Sequence, residues 1–121
     1  MVDIEAILAE LENAKNKLVI VEGKKDVAAL EALGVDNVVQ LYKDPLYKII
    51  EQVAETNREV LILTDLDREG KKLFGRINRE LQRRGVKVDN RLRHLLSKTD
   101  LGEIEGLCTF LENQEKKTLN R

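Results

Sequence analysis

Four acidic side chains in this chain stand where chemistry could use them. Glu22 follows the apolar run Lys17-Leu18-Val19-Ile20-Val21, with Gly23 directly after it. Asp65 and Asp67 follow Val60-Leu61-Ile62-Leu63-Thr64, within Asp65-Leu66-Asp67-Arg68-Glu69-Gly70. Short runs that stay apolar, instead of alternating, read as strands buried on both faces of a parallel sheet. Ligands of such sheets bind outside the carboxyl ends of the strands. Asp65 and Asp67 are two apart, so on extended backbone they point the same way. A neighbouring first strand would bring Glu22 about 5 Å across the sheet from them. Carboxylates this close repel each other unless a proton or a cation neutralises them. Mg2+ suits that role, because it prefers oxygen ligands, retains several waters and is commonly shared between carboxylates and a substrate phosphate. Glu69 adds a fourth acid at the mouth of the same loop.

A basic rim accompanies the acids. Lys24, Lys25, Arg68, Lys71 and Lys72 fall at the starts of the helices expected after the two acidic turns. Free N–H groups at helix N-termini favour anions there. A metal that polarises a phosphoryl oxygen or activates water, beside cations that hold neighbouring phosphates, is the equipment of phosphodiester chemistry. The ligand count accommodates one Mg2+ or two, with Mn2+ as a substitute. Each acid taken alone also has an ordinary explanation. Asp and Glu favour helix starts for capping and dipole reasons, and Thr64-x-x-Asp67 has capping-box spacing. The joint pattern at two strand ends is what singles the acids out.

The elements that must position these residues alternate. Ile4, Ile7, Leu8 and Leu11 recur at helical spacing and predict an N-terminal helix over 3–14. Lys17–Val21 reads as the first strand, followed by a helix through Ala28, Leu30 and Leu33 that Gly34 caps. Asn37–Leu41 reads as the second strand. Pro45 suits the first turn of a helix whose core face is Leu46, Ile49, Ile50 and Val53. Glu59–Thr64 is the third strand. The helix from about Glu69 to Arg84 puts Leu73, Phe74, Ile77 and Leu81 on one side, and Lys72, Arg76, Arg79 and Arg83 in a narrow stripe opposite. Gly85 ends it and Val86–Val88 is the fourth strand; residues 89–98 fit strand or helix. Ser97-Lys98-Thr99-Asp100 has capping-box spacing before a last helix over 103–112 with Ile104, Leu107, Cys108 and Leu111, and the polar 113–121 tail is expected to fray. The pattern predicts an α/β, mostly parallel, four-stranded Rossmann-like sheet with helices on both faces.

The net charge of −1 conceals a strong asymmetry. Residues 1–67 hold seven Lys/Arg against fourteen Asp/Glu, whereas residues 68–98 hold eleven against three. A basic third in a near-neutral chain implies a surface that faces a polyanion. At 121 residues with 42% apolar content, one domain over 1–121 suffices and the composition argues against disorder. The acidic, amphipathic start is no signal peptide, and no apolar run approaches the roughly 20 residues a membrane span needs. The expectation is a soluble, cytoplasmic protein with no membrane partner. Cys108 reads as core, His94 as a surface or packing residue, and two Tyr plus two Phe supply no evident aromatic platform for single strands.

Val21-Glu22-Gly23 together with Asp65-Leu66-Asp67-Arg68-Glu69-Gly70 resembles the Toprim family, the metal-binding domain of topoisomerases, bacterial-type primases, overcoming-lysogenisation-defect nucleases and the ribonuclease that matures 5S ribosomal RNA. The Asp-x-Asp-Arg-Glu-Gly form is similar to type IA topoisomerases, and Glu22-Gly23-Lys24-Lys25-Asp26 to the 5S RNA maturase. The size resembles that of small stand-alone Toprim proteins of archaea and some bacteria. The resemblance covers about residues 15–98, with the N- and C-terminal helices packing on that core. It implies Asp65 and Asp67 as Mg2+ ligands and Glu22 as a ligand or general acid/base. Arg68 and Lys72, chosen for their position and not by the family motif, would contact phosphate. Strand passage and primer synthesis do not follow. Topoisomerases draw their nucleophilic tyrosine from another domain, whereas Tyr42 and Tyr47 lie inside the matching region, and one Cys with one His cannot build a zinc module. The expected function is therefore a Mg2+-dependent nuclease or related phosphotransferase on RNA or DNA, with catalytic Glu22, Asp65 and Asp67. Lys24, Lys25, Arg68, Lys72, Arg76, Arg79 and Arg83 would bind nucleic acid. The alternative is a non-catalytic nucleic-acid-binding module, or a subunit of a larger primase or nuclease complex with a protein partner. A phosphoacceptor receiver domain fits less well, for lack of an acidic pair after the first strand and a Lys-Pro after the last. A haloacid-dehalogenase-like phosphatase would carry its Asp-x-Asp after the first strand.

Overall fold

A computed structural model describes residues 2–119. Its elements are α1 (Ile4–Ala14), β1 (Leu18–Val21), α2 (Lys24–Ala32), β2 (Val38–Gln40), α3 (Leu46–Thr56), β3 (Glu59–Ile62), α4 (Arg68–Arg83), β4 (Lys87–Val88), α5 (Arg91–Ser97) and α6 (Leu107–Leu119). Single 3-10 turns, Leu41–Lys43 and Ile104–Gly106, precede α3 and α6. The four strands form one all-parallel sheet in the order β2-β1-β3-β4. This is the α/β, Rossmann-like arrangement expected from the alternation of strand and helix.

The central strands explain why the apolar runs do not alternate. Every residue of β1 is buried. Val19 and Val21 pack with Leu61 and Leu63 into a core under α1, α2, α5 and α6, while Leu18 and Ile20 pack with Val60 and Ile62 under α3 and α4. Both faces are covered by helices, so both sets of side chains must be apolar. Each Leu or Ile so buried contributes about 1.5–3 kcal/mol relative to exposure. In α4 the prediction holds closely: Ile77 and Leu81 are fully buried, while Lys72, Arg76, Arg79 and Arg83 are exposed.

The strand order carries the functional consequence. From β1 the chain crosses to β2 on one side, then returns past β1 to β3 on the other. The carboxyl ends of β1 and β3 therefore flank a topological switch point, where open α/β sheets bind their ligands. Glu22 follows β1, and the Asp65–Asp67 loop lies just beyond β3.

Several local expectations are corrected. Pro45 precedes α3 as its N-cap and is not its first residue. Residues 91–97 choose helix: Leu92, Arg93 and Leu96 face inward from α5. The helix expected over 103–112 starts at Leu107 and continues to Leu119, so the tail expected to fray is helical over its described part; Asn120 and Arg121 lie outside the described residues. Its start moves because Gly102 and Glu103 cross the end of β3, where the Leu66 N–H donates to the Gly102 carbonyl at 2.8 Å. Ser97 closes α5, and the Thr99 hydroxyl accepts from the Leu101 N–H to turn the chain. Leu8 is exposed, outside the buried stripe of Ile7 and Leu11. Cys108 is half-buried, its thiol donating to the Ala29 carbonyl at 3.3 Å. His94, by contrast, is exposed on α5, in line with the expectation of a surface or packing residue.

Candidate metal centre

Glu22 and Asp65 meet across the β1–β3 pair. The Asp65 N–H donates to Glu22 Oε2 at 2.7 Å, so the first acid holds the backbone that presents the second. Asp65 Oδ1 in turn accepts from the Ile104 N–H at 3.0 Å. Asp67 caps α4, its Oδ1 accepting from the Gly70 N–H at 2.7 Å. Glu22 and Asp65 are half-buried and Asp67 is exposed. The reasoning that Asp65 and Asp67 share a side of one extended strand is overturned. Regular pairing in β3 ends at Ile62, and the two aspartates sit on the loop and cap beyond it.

Gly70 makes that loop possible. A Cβ there would collide with the Asp65 carbonyl, so only glycine lets α4 begin this close to the strand end. The buried Thr64 hydroxyl ties the same corner by donating to the Gly70 carbonyl at 2.7 Å.

The acids strain against one another. Burial pushes the Glu22 carboxyl above the ordinary range; the Asp65 N–H works against that rise, and Asp65, Asp26 and Asp67 add to it by repulsion. Asp26 is buried, accepts from the Gly23 N–H at 3.1 Å, and is likewise raised by burial, with repulsion from Asp65 and Glu105. Glu103 is raised by its contact with Glu105 and by repulsion from Asp65 and Asp67. Asp26, Glu103 and Glu105 were not among the residues predicted for the site. Asp26 stands three residues after Gly23, at capping-box spacing, which could have marked it. No local signal marks Glu103 and Glu105, which arrive through the turn before α6.

Among the described residues no three carboxylate, imidazole or thiol groups form a ready cation cage, so Glu22, Asp65 and Asp67 are neighbours without converging on one point. The donor set nonetheless fits a hard cation. Each of the three uses one oxygen on a backbone N–H and keeps a second, and their mutual repulsion is what a divalent ion relieves. Glu69 does not join them. It is 82% exposed and pairs with Lys72 Nζ at 3.6 Å on the first turns of α4.

Arg93 was also not anticipated. It is buried and spans the end of β3 from α5, with Nη1 donating to the Thr64 carbonyl at 2.7 Å and, more loosely, to the Ile62 carbonyl at 3.4 Å. Nη2 donates to the Asp65 carbonyl at 3.0 Å, and the guanidinium lies 4.5 Å from the Phe74 ring centroid. Burial lowers its pKa, while attraction to Glu22 and Asp65 opposes that effect. Arg93 is thus a buried cation behind the acids that clamps the loop carrying them.

The predicted cations divide into two groups. Lys24 and Lys25 open α2 and Arg68 opens α4, all exposed at the crevice end of the sheet. Lys72, Arg76, Arg79 and Arg83 run along the outer side of α4, where Arg83 pairs with Glu80 at 3.2 Å. An open groove of about 570 Å³ lies elsewhere, along β4 between Glu59, Lys87, Asp89 and Arg91. Its charged lining is satisfied internally, through Lys87–Glu59 at 3.4 Å and Arg91–Asp89 at 2.8 Å. Among the described residues no helix is long and apolar enough to cross a membrane.

Comparison with known proteins agrees with this architecture. The Toprim domain model matches residues 16–90, from the turn before β1 through the chain just after β4. A UPF0292 protein of Methanocaldococcus jannaschii is 35% identical over 114 residues, covering 89% of each chain. A UPF0292 protein of Methanosarcina acetivorans is 31% identical, covering 95% of this chain and 84% of its own. A solved structure of a protein from Aquifex aeolicus superposes with a TM-score of 0.77 at 27% identity, over 85% of this chain and 96% of that one. Toprim domains generally bind divalent metal ions and act on nucleic acid. With Glu22 after β1, Asp65 and Asp67 after β3, and a matched span that includes both, this chain belongs to the Toprim family and is a relative of the archaeal UPF0292 proteins.

Proposed function

We propose that this protein is a Mg2+-dependent phosphotransferase on nucleic acid, most simply a small nuclease. The observation that carries the reading is the meeting of Glu22 and Asp65 at the switch point, with Asp67 beside them at the start of α4. Glu22, Asp65 and Asp67 would hold the metal, which would polarise a phosphoryl oxygen and lower the pKa of bound water. The chain's own groups do the rest. Arg93 keeps the Asp65 loop in place, and the N-termini of α2 and α4 turn their free N–H groups toward the crevice. Lys24, Lys25 and Arg68 rim that end, and the α4 stripe of Lys72, Arg76, Arg79 and Arg83 offers a track for the phosphate backbone beyond it. Glu22, half-buried and raised, is also the group suited to move a proton at the attacking or leaving oxygen.

A second reading keeps the metal and the polyanion surface without turnover: a binding module, or a subunit that requires a protein partner. The same basic stripe supports it. Labelled structured RNA and single- and double-stranded DNA, incubated with Mg2+ or Mn2+, separate the two. The Asp65→Asn and Asp67→Asn variants are apt because asparagine still offers an oxygen to the Ile104 and Gly70 N–H groups, preserving the local fold. Cutting by wild type that both variants lose is the expected result. No cutting by folded, metal-binding wild type would overturn the nuclease in favour of the binding module.

A further inference from the structure

We infer that Tyr42 is a base-stacking platform beside the acidic centre, so that the nucleic acid taken by this site is single-stranded, or unstacked, at the reacting phosphate. The inference rests on the proposed function and narrows its substrate class. Composition alone offered no platform, since the chain contains two Tyr, two Phe and no Trp. Tertiary placement changes the meaning of one of those rings.

Tyr42 lies in the 3-10 turn Leu41–Lys43 at the carboxyl end of β2. Because the sheet is parallel, that is also the end of β1 and β3 that carries Glu22 and Asp65. Val21 is in register with Gln40, which sets Tyr42 alongside the Glu22–Gly23 turn. Two observations fasten it there. The Tyr42 N–H donates to the Glu22 carbonyl at 3.2 Å. The ring rests against Gly23, close enough that a Cβ on that glycine would lie 3.3 Å from Tyr42 Cδ2.

Tyr42 is nevertheless 79% exposed, the most exposed large hydrophobic among the described residues. Leu41 before it is half-buried against the α3–α4 core, so the turn is anchored while the aromatic face stays in water. Lys43 follows it in the chain and Lys24 follows Gly23, both exposed, so each of the two segments that hold the ring carries a cation next in sequence. Aromatic faces flanked by cations are how sequence-tolerant single-strand sites work: bases stack and the backbone follows the charge. A base pair within a stacked duplex has no free face to offer such a ring. Tyr47, 66% exposed beside Arg76 and Glu80 in the groove between α3 and α4, has no contact of this kind with the acidic turn and serves as the control.

The test measures binding and not cleavage. An oligonucleotide carrying 2-aminopurine, as RNA or DNA, is titrated as a single strand and as a blunt duplex in Ca2+. The proteins are wild type, Tyr42→Ala, Tyr42→Phe and Tyr47→Ala. The backbone N–H to Glu22 survives Tyr42→Ala, so the turn is retained. Wild type, Tyr42→Phe and Tyr47→Ala are expected to quench the single-strand probe alike. Tyr42→Ala should bind the single strand roughly 5- to 150-fold more weakly, the effect of losing one stacked base, with duplex affinity unchanged. Single-strand affinity equal to wild type in Tyr42→Ala, or an equal loss for the duplex, overturns the platform alone. Wild type that binds neither probe overturns the proposed function and the platform with it.

Discussion

Replacing Arg93 by methionine tests whether the acidic loop is held in place by a buried cation. Methionine keeps an unbranched, flexible side chain in the core but removes every donor. Two strong bonds, to the Thr64 and Asp65 carbonyls at 2.7 and 3.0 Å, are lost, along with the looser one to Ile62 and the stacking on Phe74. A buried carbonyl left without a partner costs about 1–3 kcal/mol, and a desolvated cation–π contact contributes about 2. Against this, the guanidinium no longer has to be held out of water, a penalty visible in its lowered pKa. The net expectation is a loss of about 2–4 kcal/mol, or roughly 10 °C in Tm for a chain of this size. The assay is urea unfolding with an unchanged slope, paired with Mn2+ titration by calorimetry. Because Arg93 fixes the backbone that presents Asp65, metal affinity should fall in the folded variant even though a competing positive charge is removed, and Arg93→Lys should recover it only in part. A loss below about 0.5 kcal/mol together with unchanged metal affinity would refute the clamp, since surface substitutions away from special features lie in that range.

Two further outcomes follow from the charges. Asp89 is buried where Arg91, Lys17 and Asn13 all donate to it, and those partners, Arg91 first, hold its carboxyl well below the usual range. The unfolded chain therefore takes up this proton at higher pH than the folded one. The stabilisation is complete above the ordinary aspartate pKa near 4 and is lost progressively as pH falls below it. Asp89→Asn should lower stability by about 2–3 kcal/mol at neutral pH and flatten the acid limb of a Tm-versus-pH curve; an acid limb as steep as wild type would refute the assignment. On α4, the double change Arg76→Gln/Arg79→Gln should reduce the slope of log K against log salt for duplex DNA by about 2, measured by anisotropy, with folding unchanged; an unaltered slope would place the polyanion on another face.

Much of the architecture was legible locally. Apolar runs too uniform for a half-exposed strand required two covered faces, and their alternation with helical periods required a parallel sheet. In α4 the spacing of Leu73, Phe74, Ile77 and Leu81 was enough to set which side faces the core and which carries Lys72, Arg76, Arg79 and Arg83. Residues 89–98 resisted the same reading because a short segment between a two-residue strand and a turn contains too few periods to choose. The last helix was misplaced because the chain before it crosses the end of β3, a contact 36 residues away in sequence from Leu66 to Gly102 that no local pattern records.

The sequence by itself determined the chemistry on offer: Glu22, Asp65 and Asp67 with their glycines, and a basic third to face a polyanion. Those are properties of residue type and local spacing. Only the tertiary structure decided which of these groups meet. Pairing β1 directly with β3 joined Glu22 to the Asp65 backbone, while the end of β3 at Ile62 separated Asp67 into a helix cap. Glu69 was turned outward to Lys72, and Arg93, Asp26, Glu103 and Tyr42 were gathered around the centre from four other segments. Strand order and close backbone approach are set by burial summed over the whole chain, so the neighbours of the acidic centre became visible only once that core was closed.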